Sequence, residues 1–297
     1  MPEAGFFVSI YIGLCAVFGL TWLLTVWLLP RFTLLLKRGG LVRANYQGEC
    51  IPASLGLVFF CGILPGTLVV GVLQEGGGSA RLGVWLWGLG AMALAGFLDD
   101  AVGDRSVTGL KGHLMALITR GELTTGMVKA AVGLMVGVGG VFMGEMIGGG
   151  VQGNFSLGSL LLHLLVIVLN INLRNLLDLR PGRAGKFFLV AVLALISVVG
   201  LRPDRPEIFW LVLLTASVLA YLPADLEGRV MMGDSGSNLL GVSLGLTSAW
   251  LLPEGILLVE ACGLVAVHIF AERYSISRLV ERVAFLRFLD GLGRPRN

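Results

Sequence analysis

Nine apolar runs divide the chain, at residues 6–29, 52–73, 83–98, 126–147, 157–173, 186–201, 207–223, 237–252 and 255–272. A bilayer core of about 30 Å takes about 20 apolar residues per helix, and fewer where flanking groups snorkel. Each run therefore predicts a membrane span, although 83–98 and 237–252 are short and their ends are left open. The pattern predicts an all-α fold, a polytopic membrane helix bundle of about nine to ten transmembrane helices. Residues 1–272 form one transmembrane domain and 273–297 a C-terminal amphipathic cytoplasmic segment. No Lys or Arg precedes Arg31, and the first run is longer than a signal-peptide core, so it reads as a retained span.

Composition agrees: of 297 residues 56% are hydrophobic and 14% charged, with a mean hydropathy of +0.87, far from the roughly one-quarter charged content of soluble domains. Charge orients the bundle. When alternate connections are assigned to opposite sides, nineteen of the 22 Lys and Arg fall on one side and Arg81, Arg202 and Arg205 on the other. The positive-inside rule makes the cation-rich side cytoplasmic, with the N-terminus outside and the C-terminus inside. The outer connections, such as QEGGGSAR and RPDRPE, are too short to hold a domain, so any chemistry belongs to the cytoplasmic face or the membrane. Cys15, Cys50, Cys61 and Cys262 show no metal or redox spacing and read as reduced packing residues. Among the 44 glycines, the pairs Gly62/Gly66, Gly133/Gly137 and Gly241/Gly245 predict close helix approach.

Three inner connections carry acids at helix mouths: GFLDDAVGDRSVTGLKGH with Asp99 and Asp100, NINLRNLLDLRPGRAGK with Asp178, and MMGDSGSNLLG with Asp234. Acids at a membrane edge are costly and point to function. The adjacent pair Asp99 and Asp100 repels unless a cation or shared proton relieves it, and Mg²⁺ suits such a site because it takes one or two carboxylates and leaves room for phosphates. Asn172, Asn175 and Asp178 fall within about 120° on one helix face, able to coordinate metal or bond a phosphate or sugar. Pro181 and Gly182 break that helix, leaving Arg180, Arg183 and Lys186 as a cluster suited to a phosphate-rich ligand. Asp104, Asp225 and Glu227 read instead as solvated loop charges. GRAGK lacks P-loop spacing, Ser235 in GDSGS resembles a nucleophile loop only superficially, and His113, His163 and His268 define no triad.

In order, GFLDD, NxxNxxD and GDSGSxxLG resemble the polyprenyl-phosphate N-acetylhexosamine-1-phosphate transferases, the MraY-like superfamily, from about Gly48 to His268. The resemblance implies transfer of a sugar 1-phosphate from a UDP-sugar to polyprenyl phosphate, with release of UMP and use of Mg²⁺. It implies Asp99, Asp100, Asp178 and Asp234 as catalytic residues, and Asp178, Asp234 and Asn175 near the metal. Lys111 in GLKGH resembles a phosphate-contacting lysine. Together with Asn172, Asn175, Arg180, Arg183, Lys186, Ser235 and His268 it makes up the expected substrate-binding set. The expected partners are a polyprenyl phosphate such as undecaprenyl phosphate, a nucleotide sugar and the membrane, with no nucleic acid and with a homodimer in view. The expected location is the bacterial plasma membrane, the site facing the cytoplasm.

The chain also departs from that pattern. The second motif commonly continues DGxDG, whereas here Leu179 replaces the first glycine and Pro181 the second aspartate. A histidine-rich motif expected near the C-terminus is absent, and His268 sits in an apolar run, where packing and substrate contact compete as readings. The segment from Glu272 to Leu289 carries apolar residues at helical spacing and predicts one interfacial amphipathic helix, with Glu272, Ser275 and Ser277 as optional site lining. These departures leave the sugar open and disfavour a MurNAc-pentapeptide donor. The alternative function is a non-catalytic protein of the same scaffold that binds or moves a polyprenyl lipid or nucleotide sugar.

Overall fold

A computed structural model describes residues 2–73, 78–103, 109–147, 156–202 and 204–294. The chain folds into twelve described helices and one small hairpin. α1 (Pro2–Arg38) leads into β1 (Val42–Ala44) and β2 (Cys50–Pro52), followed by α2 (Leu57–Leu73), α3 (Gly78–Val102), α4 (Gly109–Arg120), α5 (Thr125–Ile147) and α6 (Leu157–Leu177). Then come α7 (Arg183–Val199), α8 (Pro206–Leu226), α9 (Gly233–Leu251), α10 (Glu254–Arg273), α11 (Ile276–Arg282) and α12 (Ala284–Gly291). Each of the nine apolar runs lies on its own helix. Among the described residues six helices, α1, α3, α5, α6, α8 and α10, are long and apolar enough to cross a membrane, and α2 is a shorter apolar helix. The protein is a multi-pass helical membrane protein.

Local chemistry sets several boundaries. Ser156 caps α6 by accepting the Ser159 N–H, and Pro206 starts α8 where its missing N–H costs no helical bond. α6 ends at Leu177 with Asp178 as its cap, and Gly182, at φ 73°, turns the chain into α7 just after Pro181.

α9 is buried along nearly its whole length, which explains why its run looked short for a span. A helix shielded from lipid by its neighbours has no need of a fully apolar surface, and its Ser, Thr and Gly residues permit close packing instead. α6 and α9 run antiparallel in the most extensively packed pair of the bundle. A Cβ on Gly241 would lie 2.5 Å from Ile171 Cα, and one on Gly245 would lie 2.8 Å from Ile167 Cα, so bare glycine is what lets the two backbones meet. Four residues up α9 match four residues down α6. The same register sets Ser237 against Asn175 and places Asp234 level with Asp178.

Two features differ from the expected fold. The hairpin, paired Val42↔Pro52, Arg43↔Ile51 and Ala44↔Cys50, is strand structure in a chain read as all-helical. It is followed by a segment stitched to the start of α9, with Leu55 N–H donating to Met231 O (3.0 Å) and Gly56 N–H to Met232 O (3.0 Å). The single helix expected over 272–289 is instead the end of α10 plus two short helices, broken at Ser275, which caps α11, and at extended Val283. The break lets α12 fold back onto α7, where Asp290 meets Arg183.

Candidate functional site

Four helices present their ends to one cluster. α3 brings Asp99 and Asp100 in its last turns, α5 brings Thr125 and Lys129 in its first, α6 ends in Asn175 and Asp178, and α9 opens with Asp234, Ser235 and Ser237. Gly96 on α3 permits the approach of α9, since a Cβ there would strike the Asp234 carbonyl.

Lys129 stands at the centre. Its ammonium donates to Asp99 Oδ2 at 2.8 Å and to Asp234 Oδ2, tying α3, α5 and α9 together. The three side chains remain about one-fifth to one-quarter exposed (18%, 22% and 27%), so the cluster is half-buried yet reachable from solvent. Thr125 Oγ1 donates to Asp99 Oδ1 at 2.5 Å. In the amide orientation that satisfies every neighbour, Asn175 Oδ1 accepts from Lys129 Nζ (3.1 Å), while its nitrogen donates to Asp234 Oδ1 (3.0 Å) and Ser237 Oγ (2.8 Å).

The adjacent aspartates face different ways. Asp99 joins the Lys129 cluster. Asp100 accepts from Ser54 Oγ and, at 3.4 Å, from the Ser235 N–H at the start of α9, where the helix dipole favours a carboxylate. Ser235 Oγ closes the loop by donating to Ser54 O (3.1 Å), and Arg43 Nη2 donates to Asp100 O (2.6 Å). Ser54 itself sits at φ 61°, a conformation uncommon for a residue with a side chain, held by these bonds.

Asp178 closes the cluster on the α6 side. Burial first, and then the charges of Asp225, Asp234 and Asp100, push its carboxyl well above the usual carboxylate range. Among the described residues Lys129 faces two carboxylates, Asp99 and Asp234, with Asp178 nearby, a local excess of acids that a cationic ligand would relieve. Among the described residues no three His, Cys, Asp or Glu side chains form a ready-made metal cage. The donor set nevertheless fits Mg²⁺, being all hard oxygen, with one or two carboxylates and an amide in reach and the remaining positions left for water or phosphate.

The other expected residues divide. Asn172 is exposed and makes no side-chain hydrogen bond among the described residues, so it stands apart from the Asn175–Asp234 network. Lys111 lies on α4, and its side chain is outside the described part of the structure, as is Asp104. Arg180 lies 5.3 Å over the Tyr46 ring.

Arg183 and Lys186 correct the expectation of a phosphate-facing cluster. Arg183, 1% exposed, donates through Nε (2.8 Å) and Nη2 (3.1 Å) to Asp290 and through Nη1 to Ser277 (2.9 Å); Lys186 donates to Asp290 O and Leu292 O. Their donors hold the C-terminal arm, which a sequence reading without the α12 return could not place. His268 bonds back to Leu264 O (2.7 Å) within α10, and its Nε2 is buried without a partner among the described residues. Asp225 is a second correction. It is buried rather than solvated, because it accepts the Gly182 N–H (2.9 Å) at the α6–α7 turn. Glu227 is partnered on the surface by Arg229.

Lys129 is the main residue that motif reading missed. It was counted only toward charge bias, although a lysine one turn inside the apolar run 126–147 is itself a signal of a buried partner. Ser54, Thr125, Ser237 and Arg43 carry no such signal.

Comparison with known proteins bears on this constellation. The family model described as glycosyl transferase family 4 matches residues 82–251, which span α3 to α9 and hold all four aspartates. The chain is 29% identical over 214 residues to a phospho-N-acetylmuramoyl-pentapeptide-transferase of Thermotoga neapolitana, covering 71% of this chain and 64% of that protein. It is 28% identical over 216 residues to a decaprenyl-phosphate N-acetylglucosaminephosphotransferase of Mycolicibacterium smegmatis (66% and 49%), and 28% over 222 residues to one of Mycobacterium tuberculosis (70% and 46%). The chain thus spans from about half to just under two-thirds of the length of these relatives. By the extent of the family match and the motifs it contains, the chain belongs to glycosyl transferase family 4, within the polyprenyl-phosphate N-acetylhexosamine-1-phosphate transferase superfamily.

Proposed function

We propose that this protein transfers a sugar 1-phosphate, of the N-acetylhexosamine type, from a UDP-sugar to polyprenyl phosphate and releases UMP, at the cytoplasmic face of a bacterial plasma membrane. The observation that carries this reading is the convergence of Asp99, Lys129, Asn175 and Asp234 from four helices within one hydrogen-bonded cluster. The charge asymmetry of the connections supports the orientation, with the N-terminus outside.

In the proposed reaction an acceptor phosphate oxygen forms a bond to the sugar-bearing phosphorus of the donor. The diphosphate bridge breaks, and UMP leaves with its electron pair. Both substrates are anions, so their approach needs compensating charge and fixed position rather than new covalent chemistry. Asp234, Asn175 and Asp178 would hold Mg²⁺, which when bound would neutralise diphosphate charge. Lys129 fixes Asp99 and Asp234 in their relative positions and adds a cation beside the entering phosphates. Asp99 faces the acceptor and takes any proton that its phosphate brings. Asp100 has a positioning role, pinning the segment around Ser54 to the start of α9. The half-buried placement of the cluster at a helix mouth lets a water-soluble nucleotide meet a phosphate whose tail stays in lipid.

The test incubates purified protein with undecaprenyl phosphate, Mg²⁺ and a panel of UDP-sugars while following UMP release. Turnover with at least one donor, lost in Asp99→Asn and Asp234→Asn, is expected. Absence of turnover with every donor, together with unchanged lipid binding in both variants, would replace the transferase by a non-catalytic lipid or nucleotide-sugar binder.

A further inference from the structure

Beside the acidic cluster lies a second, basic cavity. It has a volume of about 270 Å³ and lies, partly open to solvent, between the α6–α7 turn and the C-terminal arm, with Tyr46, Arg180, Pro181, Glu281, Arg287 and Arg294 in its wall. A smaller cavity shares Tyr46, Arg180 and Pro181 with it and reaches Asp178 and Asp225. The two cavities are therefore neighbours that share a wall, the smaller one on the side of Asp178.

The arginines of the wall differ in what they hold. Arg294 is committed, donating to both Asp290 oxygens (2.9 and 3.0 Å) and to Pro181 O (2.9 Å), and Arg183 is committed to Asp290 and Ser277. The side chains of Arg180 and Arg287 make no hydrogen bond or ion pair among the described residues, and Arg180 rests on the Tyr46 ring. Asp290 is taken up by its own arginines, so Glu281 alone is left to answer two guanidinium groups. Guanidinium forks match carboxylate and phosphate oxygens in pairs, whereas a neutral hydroxyl-lined ligand leaves their charge uncompensated. Pro181, in the wall beside Arg180, brings no carboxylate to it.

We propose that the Arg180–Arg287 cavity binds an anionic substituent, a carboxylate or phosphate ester, carried by the sugar of the donor, so that the preferred donor is an acidic UDP-sugar. This inference rests on the transferase reading for the identity of the ligand, but not for its charge. The diphosphate would lie toward Asp178 and the acidic substituent in the basic cavity beyond the Tyr46–Arg180–Pro181 wall.

Two probes that differ only at one carbon test this: UDP-N-acetylglucosamine and UDP-N-acetylglucosaminuronic acid. Binding by calorimetry and KM from UMP release are measured for the parent, Arg287→Gln, Arg180→Gln and Arg180→Lys. The acidic donor is expected to bind the parent more tightly. In Arg287→Gln the acidic-to-neutral ratio of both Kd and KM is expected to rise by roughly tenfold, with kcat for the acidic donor held, as for loss of one charge-assisted bond. Arg180→Lys is expected to restore part of what Arg180→Gln loses. Equal affinity for the two donors in the parent, with ratios unmoved in every variant, would overturn the cavity assignment and leave the transferase reading standing. Preferential binding of the acidic donor without turnover of either would uphold the cavity and count against the transferase. Free glucuronate or inorganic phosphate restoring full affinity for the neutral donor would overturn the donor-borne claim, placing a separate effector anion there.

Discussion

Replacing Lys129 with Gln removes the cation that, among the described residues, holds Asp99 and Asp234 together. Two unit charges about 4 Å apart attract by about 4 kcal/mol at the effective dielectric of a protein surface. Removing one partner of a fully buried pair costs about 3–5 kcal/mol, whereas an exposed pair contributes about 0–1 kcal/mol. The three side chains are 18%, 22% and 27% exposed, so the cost lies between these limits, at about 2–3 kcal/mol. The penalty is mutual repulsion of two carboxylates, and a divalent cation relieves it. In detergent the variant should melt several degrees below the parent without metal, and Mg²⁺ should raise its melting temperature more than the parent's. UMP release should fall by roughly 10²-fold or more, as for loss of a charge-stabilising donor, and Lys129→Arg should recover the stability. Identical melting of parent and Lys129→Gln without metal, with equal response to Mg²⁺, would refute the view that this lysine relieves carboxylate repulsion.

Other predictions follow from the same geometry. Gly241→Ala should destabilise the protein by about 1–3 kcal/mol and lower turnover, because its Cβ meets the backbone of α6 and shifts the register that joins Ser237 to Asn175. Gly255→Ala, with nothing within 4 Å, should change neither in a thermal melt. At the opposite end of the bundle Arg81 pairs with buried Glu207 at 2.7 Å. Glu207→Gln should cost about 3–5 kcal/mol in stability while turnover per folded molecule stays at the parent level. Burial acts to raise the Asp290 pKa, but bonding to Arg183 and the charges of Arg183 and Arg294 prevail and hold it below the usual carboxylate value. Its contribution to docking the C-terminal arm is therefore complete above the ordinary carboxylate pKa and lost as pH falls through the depressed one. The protection of amides over 284–291, taken relative to their intrinsic exchange rates, should stay high and constant from pH 5 to 8, and Asp290→Asn should lower it throughout that range.

Periodicity and charge reached the bundle because both depend on local sequence. An apolar run must be buried in lipid or protein, and cation bias alternates with the spans, so Asp99, Asp178 and Asp234 could be assigned to one end before any contact was known. What stayed hidden depends on partners distant in sequence. Lys129 looks like an anchor until the start of α5 is set beside Asp99 and Asp234. Arg183 and Lys186 look free until α12 returns Asp290 to them from 107 and 104 residues away in the chain. Asp225 looks solvated until the turn at Gly182 offers it an N–H. The division of labour within Asp99 and Asp100 is equally tertiary, since only the Ser54 segment packed on α9 distinguishes them. Leu179 and Pro181 were legible as departures, but the basic cavity that Pro181 borders required the C-terminal arm to be folded against it.

The most direct test of the transferase follows the phosphorus itself. With a UDP-sugar labelled in the sugar-bearing phosphate, undecaprenyl phosphate and Mg²⁺, the label should move into the lipid phase as a polyprenyl diphosphate sugar, in step with unlabelled UMP. The Asp234→Asn variant should leave it in the aqueous donor. Label that stays in the donor with the parent protein, or that appears as free sugar phosphate while the lipid is unmodified, would contradict the account.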